Sequence, residues 1–247
     1  MLEKINKMKS LLVNTVLWLF FTEHCRYCDA LIEKGKQICD DCQKNLPVVN
    51  GERCHFCGAG KDRCGCKKHH FGYDGITAPF YYEGGIKTGI QKLKFNGKEH
   101  IAHYLAQDMA KAVKSDFADV DFDFICFVPF TATQKIRRNY NQSELLAENL
   151  AKTLNIPLKK VLIKLFETDT QHSKNVRNRK GNVFGVYDVK NGVDIENKTI
   201  LLVDDIRTTG ATLDECAWIL KIRGAKAVYC VTAALTGKKK LENSEEK

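Results

Sequence analysis

The sequence predicts an α/β fold, a parallel sheet covered by helices, with a small cysteine-rich module ahead of it. Three observations predict this. From Phe124 to Ala234, short apolar runs rich in β-branched residues alternate with runs of helical period, the pattern of a helix-covered parallel sheet with ligands at the carboxyl ends of its strands. Thr199 to Leu213, TILLVDDIRTTGATL, passes from a strand-like run through two carboxylates and a small-residue loop into a helix. Eight of the eleven cysteines crowd between Cys25 and Cys66.

A chain of 247 residues holds one domain of ordinary size and one smaller module. The boundaries read as a module over 1–70, a domain over 71–236 and a polar tail over 237–247 that begins with Lys238-Lys239-Lys240. With 44% hydrophobic and 28% charged residues, the composition excludes a disordered or wholly membrane-spanning chain. The net charge of +9 suits a nucleic acid, an anionic membrane or a polyphosphate partner, and serves solubility equally well. Cys126, Cys216 and Cys230 sit in apolar patterns as core residues, so the cysteine cluster points to metal and a reducing cytoplasm rather than to disulfides.

At the N-terminus, Lys4, Lys7 and Lys9 precede an apolar run from Leu11 to Phe21. It lacks a small-residue cleavage site and is short of the roughly 20 residues needed to span a bilayer. It reads as a packing helix, with membrane association of this basic-flanked segment as the alternative. Then come Cys25-x-x-Cys28, Cys39-x-x-Cys42, Cys54-x-x-Cys57 and Cys64-x-Cys66. Each pair on a tight turn aims two thiolates at one ion, and two pairs complete a closed, structural zinc site. The closer spacing of Cys64 and Cys66 leaves room for His69 or His70 as a ligand, and an interleaved pairing, Cys25 and Cys28 with Cys54 and Cys57, is also open. Lys61, Arg63, Lys67, Lys68, His69 and His70 surround the second set and are equally a phosphate-contacting surface or a solvated face.

Phe71 to Gly75 reads as a linker, and Ile76 to Tyr82 as an edge strand because Pro79 cannot donate to a central ladder. Gly84-Gly85 turns the chain, and Ile90 to Phe95 carries on with Lys92 and Lys94. Ile101, Leu105, Met109 and Ala112 mark an amphipathic helix. Phe124 to Val128 is a buried strand ending at Pro129, followed over Thr131 to Asn141 by a basic loop in which Lys135, Arg137 and Arg138 offer donors to a pyrophosphate. Asn141-Gln142-Ser143-Glu144 has the form of a capping box, and Leu145, Leu146, Leu150 and Leu154 form the face of the helix that follows. Val161, Ile163 and Leu165 alternate as a strand; Thr168 to Asn182, with Gln171, His172, Arg177, Arg179 and Lys180, is a long basic loop of the kind used as a lid.

Asp204 and Asp205 close the strand of the opening motif, and Thr208, Thr209, Gly210, Ala211 and Thr212 supply hydroxyls, amides and a flexible main chain at a helix start that favours an anion. Two acids beside an anion site fit a sugar phosphate whose hydroxyls meet the carboxylates while its phosphate meets the loop. The string matches neither the P-loop nor the dinucleotide fingerprint. It is similar to the signature of type I phosphoribosyltransferases, which bind 5-phosphoribosyl-1-pyrophosphate (PRPP). That resemblance implies that Asp204 and Asp205 bind ribose hydroxyls and that Arg207 to Thr212 bind the 5-phosphate.

With the cysteine pairs, Leu93-Lys94-Phe95, Val128-Pro129, Arg138-Asn139-Tyr140-Asn141-Gln142, and Gln171 with Arg177-Asn178-Arg179, the chain resembles the ComF family from Cys25 to about Ala234. It departs from the family where Asn139-Tyr140 replaces Gly-Phe, and in its C-x-C pair. The resemblance implies a type I phosphoribosyltransferase-like domain behind a zinc ribbon, PRPP bound with magnesium, and a part in competence through single-stranded DNA and other DNA-uptake proteins. It leaves two expectations: a binding module that senses PRPP and holds DNA, or a phosphoribosyltransferase whose acceptor the sequence does not name.

Overall fold

The computed structural model describes residues 22–66, 70–130, 140–165 and 185–237. Lys135, Arg137, Arg138, His172, Arg177, Arg179, His69, the N-terminal apolar run and the lysine-rich tail lie outside the described residues. Among the described residues no helix is long and apolar enough to cross a membrane.

The sheet is built around β8 (Thr199–Arg207), which pairs in parallel with β5 (Phe124–Phe127) on one side and β9 (Ala227–Leu235) on the other. β3 (Gly75–Thr77) and β4 (Phe80–Tyr81) both add to the far side of β9, in parallel, as two pieces of one edge. Pro79 falls in the gap between them, as its missing N–H requires.

Period-two alternation along β8 sends neighbouring residues to opposite faces. Leu201 and Val203 meet a core formed with α2 (Gly84–Phe95), α3 (His100–Asp116) and α4 (Gln142–Leu154). Ile200 and Leu202 meet a second core with α5 (Ala211–Ile222). Helices on both faces explain why the β8 run is apolar without a break. On α3, Ile101, Leu105 and Met109 are fully enclosed and Ala112 nearly so; each large side chain removed from water adds roughly 2 kcal/mol. On α4, Leu146 and Leu150 are enclosed, while Leu145 and Leu154 pack at the margin.

Two expectations change. Gly84 to Phe95 is one continuous helix rather than a turn and an extension, although three glycines weaken its intrinsic propensity. Gly89 shows what overrides propensity: a Cβ there would lie 1.7 Å from the Tyr27 carbonyl oxygen, so only glycine lets the first cysteine knuckle seat on this helix. The strand around Ile163 does form, as β6 (Leu162–Lys164), but outside the parallel sheet. It pairs antiparallel with β7 (Tyr187–Val189), and this two-stranded ribbon packs Leu162 and Tyr187 into the α5 side.

Before β3 the chain is short pieces: β1 (Glu23–His24), β2 (Leu31–Ile32), α1 (Asp40–Asn45) and a 3-10 turn over Lys61–Arg63. These pieces are fastened to the sheet. Residues 47–49 run along the outer side of β4: Tyr81 N donates to Pro47 O at 2.7 Å, Val49 N to Pro79 O at 2.9 Å, and Val48 bridges Phe80 antiparallel. Residues 71–75 are also anchored. Gly72 N and Val228 N donate to Asp214 and Asp74, Tyr73 OH donates to Phe56 O, and the Phe71 and Tyr73 rings stack at 4.9 Å.

Candidate functional site

Asp204 and Asp205 stand at the carboxyl end of buried β8. Asp204 is half-buried, and its Oδ1 accepts from Ser143 Oγ and from the Asp205 amide, each at 2.8 Å. Burial and the neighbouring Asp205 carboxylate push its pKa up to about 7, against the opposing pull of the Ser143 hydroxyl. Asp205 faces a cation instead: Lys94 Nζ, from the last turn of α2, lies 2.7 Å from its Oδ2.

Ser143 reaches Asp204 because the start of α4 is pinned to the end of β5. Asn141 caps the helix, its Oδ1 accepting from Ser143 N at 3.0 Å while its Nδ2 donates to Val128 O at 2.9 Å. One step earlier, Tyr140 OH donates to Leu93 O and so ties the same loop end to α2. The capping pattern in the sequence marked this helix start but not the contact to Asp204, and Leu93-Lys94-Phe95 carried no assigned role.

Beyond the acids, β8 continues to Arg207, which pairs with Leu235. Gly210 holds φ +87° at the N-cap of α5, a left-handed conformation that suits glycine. Thr209 Oγ1 accepts from Ala211 N at 3.3 Å. The exposed residues Thr208, Thr209, Ala211 and Thr212 thus surround the positive end of a helix dipole, the environment of an anion site. Arg207 is 8% exposed and turns inward: its Nη1 and Nη2 donate to the carbonyls of Thr208 and Thr209, each at 3.3 Å. It braces the loop from behind.

The eight cysteines fall into two separate clusters, Cys25, Cys28, Cys39, Cys42 and Cys54, Cys57, Cys64, Cys66, with the sulfurs of each within 4.8 Å of one another. The interleaved pairing is not the one formed. Tetrahedral zinc–thiolate bonds require sulfurs about 3.8 Å apart. Cys28 and Cys39 stand at 3.6 Å and Cys57 and Cys64 at 3.7 Å, so both clusters fit zinc. Burial raises the Cys25 thiol, but backbone amides of Cys28, Cys39 and Tyr27 outweigh it and bring its pKa to about 7. Among the described residues the C-x-C pair completes the second set without a histidine; His69 lies outside them.

The surface around the second cluster is less free than its sequence implies. Arg63 is 9% exposed, pairs with Glu83 and lies over the Tyr81 ring at 3.7 Å; Lys61 pairs with Glu52 at 2.5 Å. A pocket of about 300 Å³ opens between this cluster and the loop, lined among others by Arg63, Phe71, Arg207, Thr208 and Thr209.

Comparison with known proteins follows the same division. A phosphoribosyl transferase domain model matches residues 140–247, and a double zinc ribbon domain model matches residues 16–69. Competence protein F of Haemophilus influenzae is 28% identical over 222 residues, 85% of this chain and 95% of that one. DNA utilization protein YhgH of Escherichia coli is 26% identical, across 85% of this chain and 90% of that one. Among solved structures, glutamine PRPP amidotransferase from B. subtilis matches 53% of this chain and 26% of its own, with 22% identity and a TM-score of 0.36.

Proposed function

We propose that this chain, which belongs to the ComF family, binds PRPP at the end of β8 and couples that site to the handling of single-stranded DNA. The observation that carries the reading is the order of groups at one strand end: half-buried Asp204, Asp205, then a left-handed Gly210 opening α5. Ribose hydroxyls would donate to the acids, and the 5-phosphate would take the amides and hydroxyls of Thr208 to Thr212. Arg207, committed to two loop carbonyls, shapes that cradle from below. The DNA part draws on relatives whose names carry competence and DNA utilization, and on the +9 charge.

Magnesium would accompany the pyrophosphate of PRPP, where it offsets charge on the leaving group. The acids as found do not form an open metal site, since Lys94 already neutralises Asp205. The match to a phosphoribosyl transferase domain model supports a second reading, a phosphoribosyltransferase whose acceptor nitrogen displaces pyrophosphate at C1. Acceptor-dependent release of pyrophosphate separates the two.

PRPP with magnesium is expected to raise the melting temperature of the wild-type chain, and Asp204→Asn/Asp205→Asn to abolish that shift. An equal shift in the double variant removes the assignment. For DNA, binding of a single-stranded oligonucleotide should weaken steeply with salt; salt-insensitive binding counts against phosphate contacts.

A further inference from the structure

Among the described residues, Lys94 is the cation that pairs with the acids, at Asp205. Its ammonium and the Asp205 carboxylate are 19% and 13% exposed, enclosed enough for the pair to be weakly screened. The lysine is also held in place: Tyr140 OH donates to the carbonyl of its neighbour Leu93, and Lys92, two residues earlier on α2, reaches Asp29 at 3.4 Å. Each acid therefore has its own donor from a different helix, Ser143 for Asp204 and Lys94 for Asp205.

A pair of adjacent, half-enclosed carboxylates next to a phosphate cradle would repel the ligand unless a positive charge offsets them. Elsewhere that role commonly falls to a divalent cation carried in with the ligand. We infer that Lys94 is the resident counter-cation of this site, taking the place of a divalent metal at Asp205, so that the acids hold the hydroxyls of a ribose 5-phosphate without metal. An ammonium offers three donors and sits on a flexible stem, so it neutralises Asp205 while leaving the carboxylates as acceptors for hydroxyls. Metal is then needed only for a pyrophosphate group. The inference rests on the sugar-phosphate reading of the site and names which half of the ligand is metal-independent.

The test is isothermal titration of the zinc-loaded full chain with ribose 5-phosphate, in buffer freed of divalent cations by resin so that the structural metal stays in place. Wild type is expected to bind with and without magnesium at similar affinity. Lys94→Met is expected to lose about tenfold or more in metal-free buffer, to recover in part with magnesium, and to keep the wild-type zinc content and melting temperature within a few degrees; Lys94→Arg keeps most of the binding. Magnesium dependence in wild type, or metal-free binding by Lys94→Met equal to wild type, overturns the inference. A thermal shift with magnesium–PRPP alongside absent metal-free binding of ribose 5-phosphate sinks the Lys94 inference and leaves the site reading standing. Absence of both removes the site reading and the inference with it.

Discussion

Each of the two cysteine clusters offers a metal four sulfurs, yet they are fastened to different cores of the sheet domain. The first buries Cys25, Tyr27 and Cys42 in the main core with Phe80, Ile86 and Ile90, and adds a buried charge. Asp29, beside Cys28, holds the left-handed φ of +60° and a side chain only 4% exposed, and it meets His24 at 3.2 Å, His100 at 3.3 Å, and Lys92 and Lys98 at 3.4 Å. The second is docked by apolar contact: Cys57 and Ala59 share a small core with Val49, Ala78, Tyr81 and Leu235, and Tyr73 and Arg63 close its sides. The first cluster therefore leans on the helix that delivers Lys94, and the second on the end of the strand beside the Thr208–Thr212 loop. Four sulfurs fit each knuckle for zinc; its seating determines which part of the proposed ligand site it borders.

Three perturbations sharpen this contrast. The largest is zinc removal, which takes away both clusters at once. Structural zinc contributes about 10 kcal/mol or more to small modules of this kind, comparable with the entire margin of a domain. Chelation should abolish amide protection across 22–66 and lower the cooperative melting transition; a chain that keeps its transition without zinc would show that docking alone holds the module.

Next is Gly89→Ala, which breaks only the first seating. A Cβ driven into the Tyr27 carbonyl has no flexible side chain to push aside, and the expected cost is about 3 kcal/mol. Hydrogen exchange should then rise around Cys25 to Cys42 and remain unchanged around Cys54 to Cys66. Equal loosening of both clusters would mean that they dock as one unit.

Smallest is Asp29→Asn, which keeps the shape and removes the charge, at a cost of about 2 kcal/mol. Burial raises this carboxyl, but Lys98, His24 and Lys92 overcome it and hold its pKa below the ordinary value. A depressed carboxylate contributes stability above its unfolded pKa of about 4 and loses it as pH falls through the lower folded value. The difference in melting temperature between wild type and Asp29→Asn should therefore be full near pH 6 and close below pH 4. A gap that persists in stronger acid would rule out the charge.

The features legible in the sequence were those whose signal is local. β8, its acids and the helix start follow from a buried run, two carboxylates and small residues in one string, and α3 follows from its spacing. The C-x-x-C pairs announced metal for the same reason. What escaped reading was set by distant partners. Gly84-Gly85 reads as a turn, and Gly89 draws no reading, until the knuckle lying on Gly85 and Gly89 is seen. Lys94 is an ordinary helix lysine until β8 brings Asp205 to it, 111 positions later in the chain. Asp29 gathers cations from 24 to 100, a meeting that no spacing encodes. β6 has the alternation of a sheet strand, and alternation does not say which strand will be its neighbour.

The short run at 47–49 has a consequence for how the molecule behaves among its own copies. An open sheet ends in unpaired backbone groups that recruit further strands. Here the outer side of β4 is taken by Pro47 and Val49, and the opposite edge, β5, is taken by Pro157 to Lys159 through the Ile125 amide and carbonyl. The cysteine module thus also covers a sheet edge: a domain deprived of it would present β4 as a template for the next molecule, so that loss of zinc from the two clusters would be expected to lower solubility.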